Sequence, residues 1–191
     1  MLKKEFYLQD TAKIAEELIG TTLVKIENSN LIAGKIVETE AYLSENDEAS
    51  HSFSGKSKRN APMFEEGGIL YVYLIYGVHH CINIVTEEQW KGCAVLIRAI
   101  EPIEGIEIMQ KNRQIDNINL LGKGPGNTAK ALNFTRNDNY SSLTSEKLHI
   151  IERKSSVEIG KSERIGISKS KELQLRFFDL NSKFVSGKKT M

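Results

Sequence analysis

The sequence predicts an α+β fold, in which a curved antiparallel or mixed β-sheet carries flanking helices and one protruding β-hairpin. Two observations lead to this class. β-Prone segments dominate the chain, and they do not alternate regularly with helices, as they would in a parallel sheet. With 191 residues, 40% of them hydrophobic, the chain is long enough for one sizeable core. We therefore expect a single domain over residues 1–191.

The first part of the chain is expected to contain one helix and one hairpin. A helix is predicted over residues 10–20, because Asp10 can cap it, Ile14 and Leu18 keep helical spacing, and Gly20 can end it. TTLVKI and LIAGKIVETEAYL then read as two strands joined by the polar turn ENSN. The polar segment SENDEASHSFSGKSKRNAP is predicted to be a loop.

A second hairpin is expected in GILYVYLIYGVHHCINIVTEE, the most β-prone part of the chain, with a tight reversal at Tyr76-Gly77. CAVLIRAIEPI continues as a buried strand that ends at Pro102. EGIEIMQKNR and TAKALN read as helices, LHIIE and RIGIS as strands, and KELQLRFF as a helix or turn. The basic tail over residues 183–191 is predicted to be frayed.

Charge is distributed unevenly along a chain whose formal net charge is +1. Residues 153–191 carry ten Lys and Arg against four Asp and Glu, which permits a polyanionic partner without demanding one. Cys81 and Cys93 lie within apolar runs, and the start MLKKEFYLQD lacks an apolar signal segment, so a reduced cytoplasmic protein is expected. No apolar run is long enough to cross a bilayer, so no membrane partner is expected.

The segment VETEAY places Glu38, Glu40 and Tyr42 on one face of the predicted strand. Two carboxylates whose backbones lie roughly 6–7 Å apart can raise each other's pKa where water is excluded. One of them could then act as a general base while the other is held by hydrogen bonds. The alternative is a solvated strand face, and the residues alone favour it, because charged outer faces are common on antiparallel strands.

The histidines and the glycine-rich loop predict neither a metal site nor a nucleotide loop. His51 lies in a loop after the acidic strand and alone means little. In His79-His80-Cys81, adjacent strand residues point to opposite faces, so at most His79 and Cys81 could share one ion. No further Cys or His has the spacing of a closed zinc site, and we expect no metal. LGKGPG lacks both the GxxxxGK[ST] and the GxGxxG patterns, which leaves only a weak phosphate site at the start of the next helix.

Aromatic and basic residues around the second hairpin suit a nucleic acid. Tyr71 and Tyr73 share a strand face, whereas Tyr76 at the reversal should project, as a ring that can wedge between bases or stack on them. The alternative is a turn tyrosine packed on its own hairpin. Three nearby cations suit phosphate contacts, or belong to a solvated loop: Lys56, Lys58 and Arg59.

Several motifs together carry a resemblance to a known family. VETEAYLSENDEASHS, RNAPMF, ILYVYLIYGVHHCINI and CAVLIRAIEP occur in this order, followed by Gly124-Pro125, RIGIS and LRFF. From Leu18 onward the chain closely resembles the alkyladenine (3-methyladenine) DNA glycosylase family. It differs from vertebrate members in a shorter loop before Arg59, in a longer TEEQWKG segment and in Val78 and His79. These differences bear on the range of substrates and on the strength of DNA binding.

The resemblance implies a role for individual residues. Glu40 matches the catalytic general base that activates water, and Arg98 matches an arginine that orders the catalytic site and the nucleotide phosphate. Asn83 matches the asparagine that disfavours the exocyclic amine of guanine. Tyr76 matches the aromatic residue inserted into the DNA. The groups that contact the extruded base match Tyr42, His51 and Tyr73, whereas Glu38 receives no role.

The implied function is repair of duplex DNA. Such an enzyme flips alkylated or deaminated purines of the 3-methyladenine, hypoxanthine or ethenoadenine type and hydrolyses the N-glycosidic bond. No lysine lies beside Glu40 in the motif, so the resemblance implies monofunctional hydrolysis to an abasic site, without metal or cofactor. A bacterial-type monomer acting on the nucleoid is expected. Two alternatives remain open: a non-catalytic nucleic-acid-binding module and a hydrolase of free nucleosides.

Overall fold

An eight-stranded sheet organises the protein, which is described over residues 1–189 by a computed structural model. The strands are β1 Thr22–Glu27, β2 Asn30–Tyr42, β3 Leu70–Ile75, β4 His79–Thr86, β5 Cys93–Glu104, β6 Leu148–Ile151, β7 Ile159–Ser162 and β8 Arg176–Asp179. The helices are α1 Thr11–Glu17, α2 Ile106–Arg113 and α3 Pro125–Ala131, with four short 3₁₀ turns at Lys4–Leu8, Ala61–Phe64, Ile118–Leu120 and Arg136–Asp138. The predicted α+β class is confirmed, and every strand pair among the described residues is antiparallel.

The long strand β2 is the centre of the sheet. The main strand order is β3-β4-β5-β2-β1-β6, and β8 joins β2 to β7 outside this path. β2 pairs with β1 through its first half, and its residues 38–40 pair with β8. Its pairing with β5 shifts register on both sides of Glu38. Register shifts of this kind bend a strand, and here the bend lies at the acidic segment.

Helix α1 forms as its capping pattern predicts. The Asp10 side chain accepts a hydrogen bond from the backbone N–H of Lys13 at 2.9 Å, as an N-cap should. Ile14 and Ala15 are buried against the sheet, and the Ala15 carbonyl accepts a hydrogen bond from the Thr39 hydroxyl at 2.7 Å. The helix ends at Glu17, before the predicted Gly20. The hydrogen bond between Thr39 and Ala15 ties the helix to the second half of β2.

Strands β3 and β4 pair antiparallel around the predicted reversal. Tyr76 has φ 53° and Gly77 has φ 72°, the two successive left-handed residues of a tight hairpin turn. The backbone N–H of Val78 donates to the Ile75 carbonyl at 3.2 Å and closes this turn. The Tyr76 side chain is 87% exposed, so it does not pack on its own hairpin.

Three predictions for the C-terminal part are wrong in whole or in part, although KELQLRFF does begin with the predicted turn. RIGIS is a loop. The Arg164 side chain donates to the Ala41 carbonyl of β2 and to Asp47 in the loop after β2. The backbone N–H of Ile165 donates to the Glu40 side chain instead of to a neighbouring strand. Within KELQLRFF the end is a strand, since residues 176–178 pair with the edge of β2 that β1 leaves open. The tail is not frayed over its first residues: Phe184 and Val185 are buried against Val37. Residues 190–191 of that tail lie outside the described part.

In the described part of the chain, none of the helices has the length and apolar character that crossing a membrane requires.

Candidate active site

A cavity of about 330 Å³ lies between the β3–β4 hairpin, the end of β2 and the loop after β7. Its volume falls in the range of about 300–1,000 Å³ that is typical of small-molecule sites. The cavity brings together seven residues that the sequence singled out: Tyr42, His51, Tyr71, Tyr73, Tyr76, Asn83 and Arg98. Ile165, Gly166 and Ile167 add a wall that the sequence did not indicate.

An aromatic cluster forms one wall of this cavity. The rings of Tyr71 and Tyr73 stack with centroids 5.3 Å apart, and His51 meets Tyr73 edge-on at 4.6 Å. His51 Nδ1 is hydrogen-bonded to the Tyr71 hydroxyl at 3.0 Å, and the His51 carbonyl accepts from Asn60 Nδ2 at 2.7 Å. Burial, with a smaller effect of the nearby Arg59 charge, lowers the pKa of His51. The imidazole that lines the cavity is therefore neutral at pH 7.

Asn83 is held in one orientation at the base of the cavity. It is buried on β4, and its Nδ2 donates to the Tyr71 carbonyl at 3.0 Å. This bond uses one of the two N–H donors of the amide and fixes which way its oxygen and nitrogen point. The Asn83 amide therefore has a fixed orientation where it lines the cavity.

The Glu40 carboxylate lies directly behind the cavity wall, with no exposed surface. Its Oε2 accepts a hydrogen bond from the Tyr42 hydroxyl at 2.9 Å and another from Arg98 Nη1 at 3.2 Å, and both donors line the cavity. Its Oε1 accepts from the backbone N–H of Ile165 at 2.6 Å. Burial raises the pKa of Glu40 and outweighs the opposing effects of Arg98 and these hydrogen bonds. Its pKa thus moves towards the range of a useful general base.

Glu38 shares Arg98 with Glu40, but its pKa is displaced in the opposite direction. Its Oε1 accepts from Arg98 Nε at 3.2 Å and from Arg176 Nε at 2.7 Å, and its Oε2 accepts from the backbone N–H of Ser186 at 2.6 Å. Burial alone would raise the pKa of Glu38, but Arg98, Ser186 and Arg176 together lower it. Glu38 is therefore ionised at pH 7. The alternative of a solvated strand face is wrong for both glutamates, which are fully buried.

Arg98 connects the two carboxylates to the cavity. Burial would lower its pKa, but the charges of Glu40 and Glu38 more than compensate, so the guanidinium stays positive. Its carbonyl accepts a hydrogen bond from the Thr128 hydroxyl at 3.2 Å, which ties β5 to helix α3. A fixed positive charge thus lines the cavity beside the general-base candidate.

The three predicted phosphate-contact cations lie in different surroundings. Arg59 lies over the Tyr73 ring at 5.5 Å and donates to the Leu74 carbonyl at 3.3 Å. Lys58 lines a groove beside it together with Arg136. Lys56 instead lies 4.4 Å from the Trp90 ring and 3.6 Å from the Glu65 carboxylate. Its charge is therefore partly neutralised, unlike that of Lys58.

Sequence reasoning missed the residues of the C-terminal part that bind the two glutamates, which are Ile165, Arg176 and Ser186. It also missed Arg164, which donates to the Ala41 carbonyl beside them. The Ile165 contact with Glu40 joins residues 125 positions apart. Local periodicity carries no information about such contacts. For Arg164, Ile165 and Arg176 the available signal was their position in the motifs RIGIS and LRFF, whereas Ser186 lies in neither motif.

Among residues 1–189, no three or more His, Cys, Asp or Glu side chains come together as they would around a metal ion. Cys81 and Cys93 are both buried free thiols, and Cys81 lines the cavity.

Comparison with known proteins adds an independent observation. The sequence model of the family described as "Methylpurine-DNA glycosylase (MPG)" matches residues 5–183. A protein of Chlorobium phaeovibrioides is 45% identical over 97% of this chain and 96% of its own. Proteins of Clostridium novyi (41% identical, 98% of each chain) and Francisella tularensis (43% identical, 93% of this chain and 94% of its own) are also similar. All three carry the name "Putative 3-methyladenine DNA glycosylase". The resemblance that the motifs predict is thus confirmed, and the chain belongs to the methylpurine-DNA glycosylase family.

Proposed function

We propose that this DNA glycosylase turns a damaged purine out of duplex DNA into the cavity and hydrolyses its N-glycosidic bond with a water activated by Glu40. The observation that supports this most directly is the buried Glu40 carboxylate, whose pKa is raised and whose hydrogen-bond donors Tyr42 and Arg98 line the cavity. The product is an abasic site without a strand break.

The aromatic wall supports a purine as the group that enters the cavity. A flat base can stack on the rings of Tyr73 and His51, and an electron-poor alkylated purine gains more from such contacts than a normal one. Asn83 supports discrimination, because an amide N–H that is held in place opposes the exocyclic amine of guanine, which is also a donor. We infer from these features that 3-methyladenine, hypoxanthine and ethenoadenine are substrates.

Tyr76 supports the flipping step. A base inside the duplex is out of reach of a nucleophile, and extruding it costs a few kcal/mol, less for a damaged pair. The Tyr76 ring is 87% exposed at the hairpin turn and also borders the cavity. It can fill the gap in the stack while the flipped nucleotide occupies the cavity, which offsets part of the extrusion cost.

The hydrogen bonds of Glu40 limit where the attacking water can bind. A carboxylate accepts about four hydrogen bonds, and Tyr42, Arg98 and Ile165 already supply three. One position remains for a water, and because Glu40 has no exposed surface, the wall must move slightly to admit it. The same carboxylate can stabilise the oxocarbenium-like sugar that forms as the bond breaks. Residues of this chain and water supply all of this chemistry.

Glu38 supports the reaction indirectly. Its negative charge neutralises part of the Arg98 and Arg176 charge. Arg98 therefore lowers the pKa of Glu40 less than it would in an isolated ion pair. Two neighbouring carboxyls whose environments displace their pKa values in opposite directions are typical of catalytic pairs. Glu40 is the proposed base and Glu38 its fixed electrostatic partner.

The deciding experiment uses a duplex with a single hypoxanthine. The wild-type protein should generate abasic sites, which hot alkali converts to strand breaks, whereas Glu40→Gln should retain binding of the same duplex and lose cleavage. If Glu40→Gln forms abasic sites as fast as the wild type, the proposed mechanism is wrong. A wild-type protein that binds DNA without forming abasic sites would be a binding module, and release of hypoxanthine from free inosine at a similar rate would indicate a nucleoside hydrolase.

A further inference from the structure

A buried ion pair connects two loops that border the cavity. Arg164 Nη1 donates to Asp47 Oδ2 at 2.7 Å and Nη2 donates to Asp47 Oδ1 at 2.6 Å, so the pair is bidentate. Both side chains have no exposed surface. Asp47 belongs to the loop after β2 and Arg164 to the loop after β7. These two loops contribute His51 and Ala49 on one side and Ile165–Ile167 on the other to the cavity lining.

Both members of the pair are also fixed to the backbone. The Asp47 carboxylate accepts from the N–H groups of Leu43 at 3.0 Å and Ala49 at 3.2 Å. Arg164 Nη1 also donates to the Ala41 carbonyl at 3.0 Å. The carboxylate thus has all of its about four acceptor positions filled. A bidentate arginine pair of this kind leaves little freedom of orientation.

The pair acts on Glu40 through its two neighbours. The Arg164 guanidinium lies 4.6 Å from the centre of the Tyr42 ring, and the Tyr42 hydroxyl donates to Glu40. The residue after Arg164 is Ile165, whose N–H donates to Glu40. Two of the three hydrogen bonds that orient the Glu40 carboxylate therefore come from groups that this pair holds in place.

We infer that Asp47 and Arg164 are positioning residues of the glycosylase reaction, which hold Tyr42 and Ile165 so that Glu40 keeps its orientation towards the cavity. This inference rests on the proposed function. A purely structural role is the competing interpretation. Buried ion pairs are weak contributors to stability compared with apolar residues of similar volume, so stability alone gives little reason to bury one beside the reacting groups.

The chain offers a matched control one residue away. Lys169 Nζ lies 2.6 Å from the Glu48 carboxylate and joins the same two loops, but its side chain is 63% exposed and that of Glu48 is 50% exposed. Solvent-exposed ion pairs contribute little to the stability of a fold. Asp47→Asn and Glu48→Gln each remove one negative charge from the same loop, so a difference between them isolates the buried pair.

The test measures single-turnover cleavage of the hypoxanthine duplex across pH, together with the Kd for that duplex and the Tm of each variant. Asp47→Asn should lower the rate about 10- to 100-fold, since small misplacements of catalytic groups have effects of this size. Its Kd for the duplex should change by less than about threefold. Glu48→Gln should match the wild type in both.

The pH profile separates positioning from folding. The hydrogen bonds from Ile165 and Tyr42 lower the pKa of Glu40, so loosening them should raise it and move the acid limb of the rate profile to higher pH. The other groups that face Glu40 are unchanged by the substitution: Arg98, Glu38 and the Cys81 thiol of β4. A variant with merely fewer folded molecules would lose rate at every pH alike.

Arg164→Lys provides a second variant, because it keeps the charge but cannot form the bidentate fork. It should show the same shifted acid limb. The inference is wrong if either folded variant reacts with the wild-type rate and profile, if rate falls without a shift, or if neither variant folds. Absence of abasic sites with the wild-type protein would instead refute the proposed function, and is thus a distinct outcome.

Discussion

Glu38 and Glu40 bind the same arginine yet have pKa values displaced in opposite directions. Arg98 donates from Nε to Glu38 and from Nη1 to Glu40, at 3.2 Å in each case. Glu38 receives two further strong donors, from Arg176 and Ser186, and its pKa is lowered. For Glu40 burial dominates, and its pKa is raised. One carboxylate therefore stabilises the fold while its neighbour is poised to take a proton.

Glu38→Gln should destabilise the protein at pH 7 by about 3–5 kcal/mol, the usual cost of removing one partner from a buried ion pair. Glu40→Gln should cost clearly less, because the folded protein already disfavours the ionised form of Glu40. The two free energies of unfolding can be compared by urea titration monitored by circular dichroism. Equal losses would contradict the opposite pKa displacements.

The Glu38 contribution should also depend on pH with a definite sign. A carboxyl with a lowered folded-state pKa stabilises the fold above its unfolded pKa of about 4.3, and this contribution is lost as pH falls further through the folded pKa. The difference between wild type and Glu38→Gln should therefore shrink below about pH 4.3. A gap that stays constant from pH 7 down to acid unfolding would show that Glu38 is not held as an anion.

Glu38 should also tune the reaction. Its charge raises the pKa of Glu40, so Glu38→Gln should lower that pKa and extend activity to lower pH, opposite to the shift expected for Asp47→Asn. The check is the acid limb of single-turnover rates on the hypoxanthine duplex. An unchanged limb would mean that the Glu38 charge has no effect on the pKa of Glu40.

Sequence periodicity succeeded where both members of a contact lie close together along the chain. Asp10 caps the helix as predicted, and the Tyr76-Gly77 turn follows from local backbone preferences. The shared face of Glu40 and Tyr42 follows from strand alternation and appears as their 2.9 Å hydrogen bond. Local chemistry was sufficient for each of these features.

Periodicity failed where a segment gains its conformation from a distant partner. RIGIS has the alternation of a strand, yet Ile165 satisfies its N–H on the Glu40 side chain. Residues 176–178 take strand form because the edge of β2 at Glu38 is open to them. The tail packs on Val37, and its Ser186 N–H donates to Glu38, a residue 148 positions earlier in the chain. No local pattern could identify these partners.

Lys58 and Lys56 should differ in their contribution to DNA binding. Lys58 lies in a groove with Arg59 and Arg136, whereas Lys56 is engaged with Glu65 and Trp90. If Lys58 contacts a phosphate, Lys58→Gln should reduce the slope of log K against log salt by about 0.9, the value for one lost phosphate contact. Lys56→Gln serves as the matched control and should leave the slope nearly unchanged. If the slope for Lys58→Gln equals that of the wild type, Lys58 does not contact a phosphate.

Tyr76 should matter most where the target base is well paired. Its exposed ring can hold the flipped state only by filling the vacated stack, and that contribution is needed less when the lesion pair is already weak. Tyr76→Ser should therefore slow cleavage about tenfold on a well-paired lesion, equivalent to ~1.4 kcal/mol, and much less on a mispaired one. Tyr76→Phe keeps the ring and should restore most of the rate on both duplexes. The same loss on both duplexes would show that Tyr76 acts on the bound base from the cavity rim and does not act as a wedge.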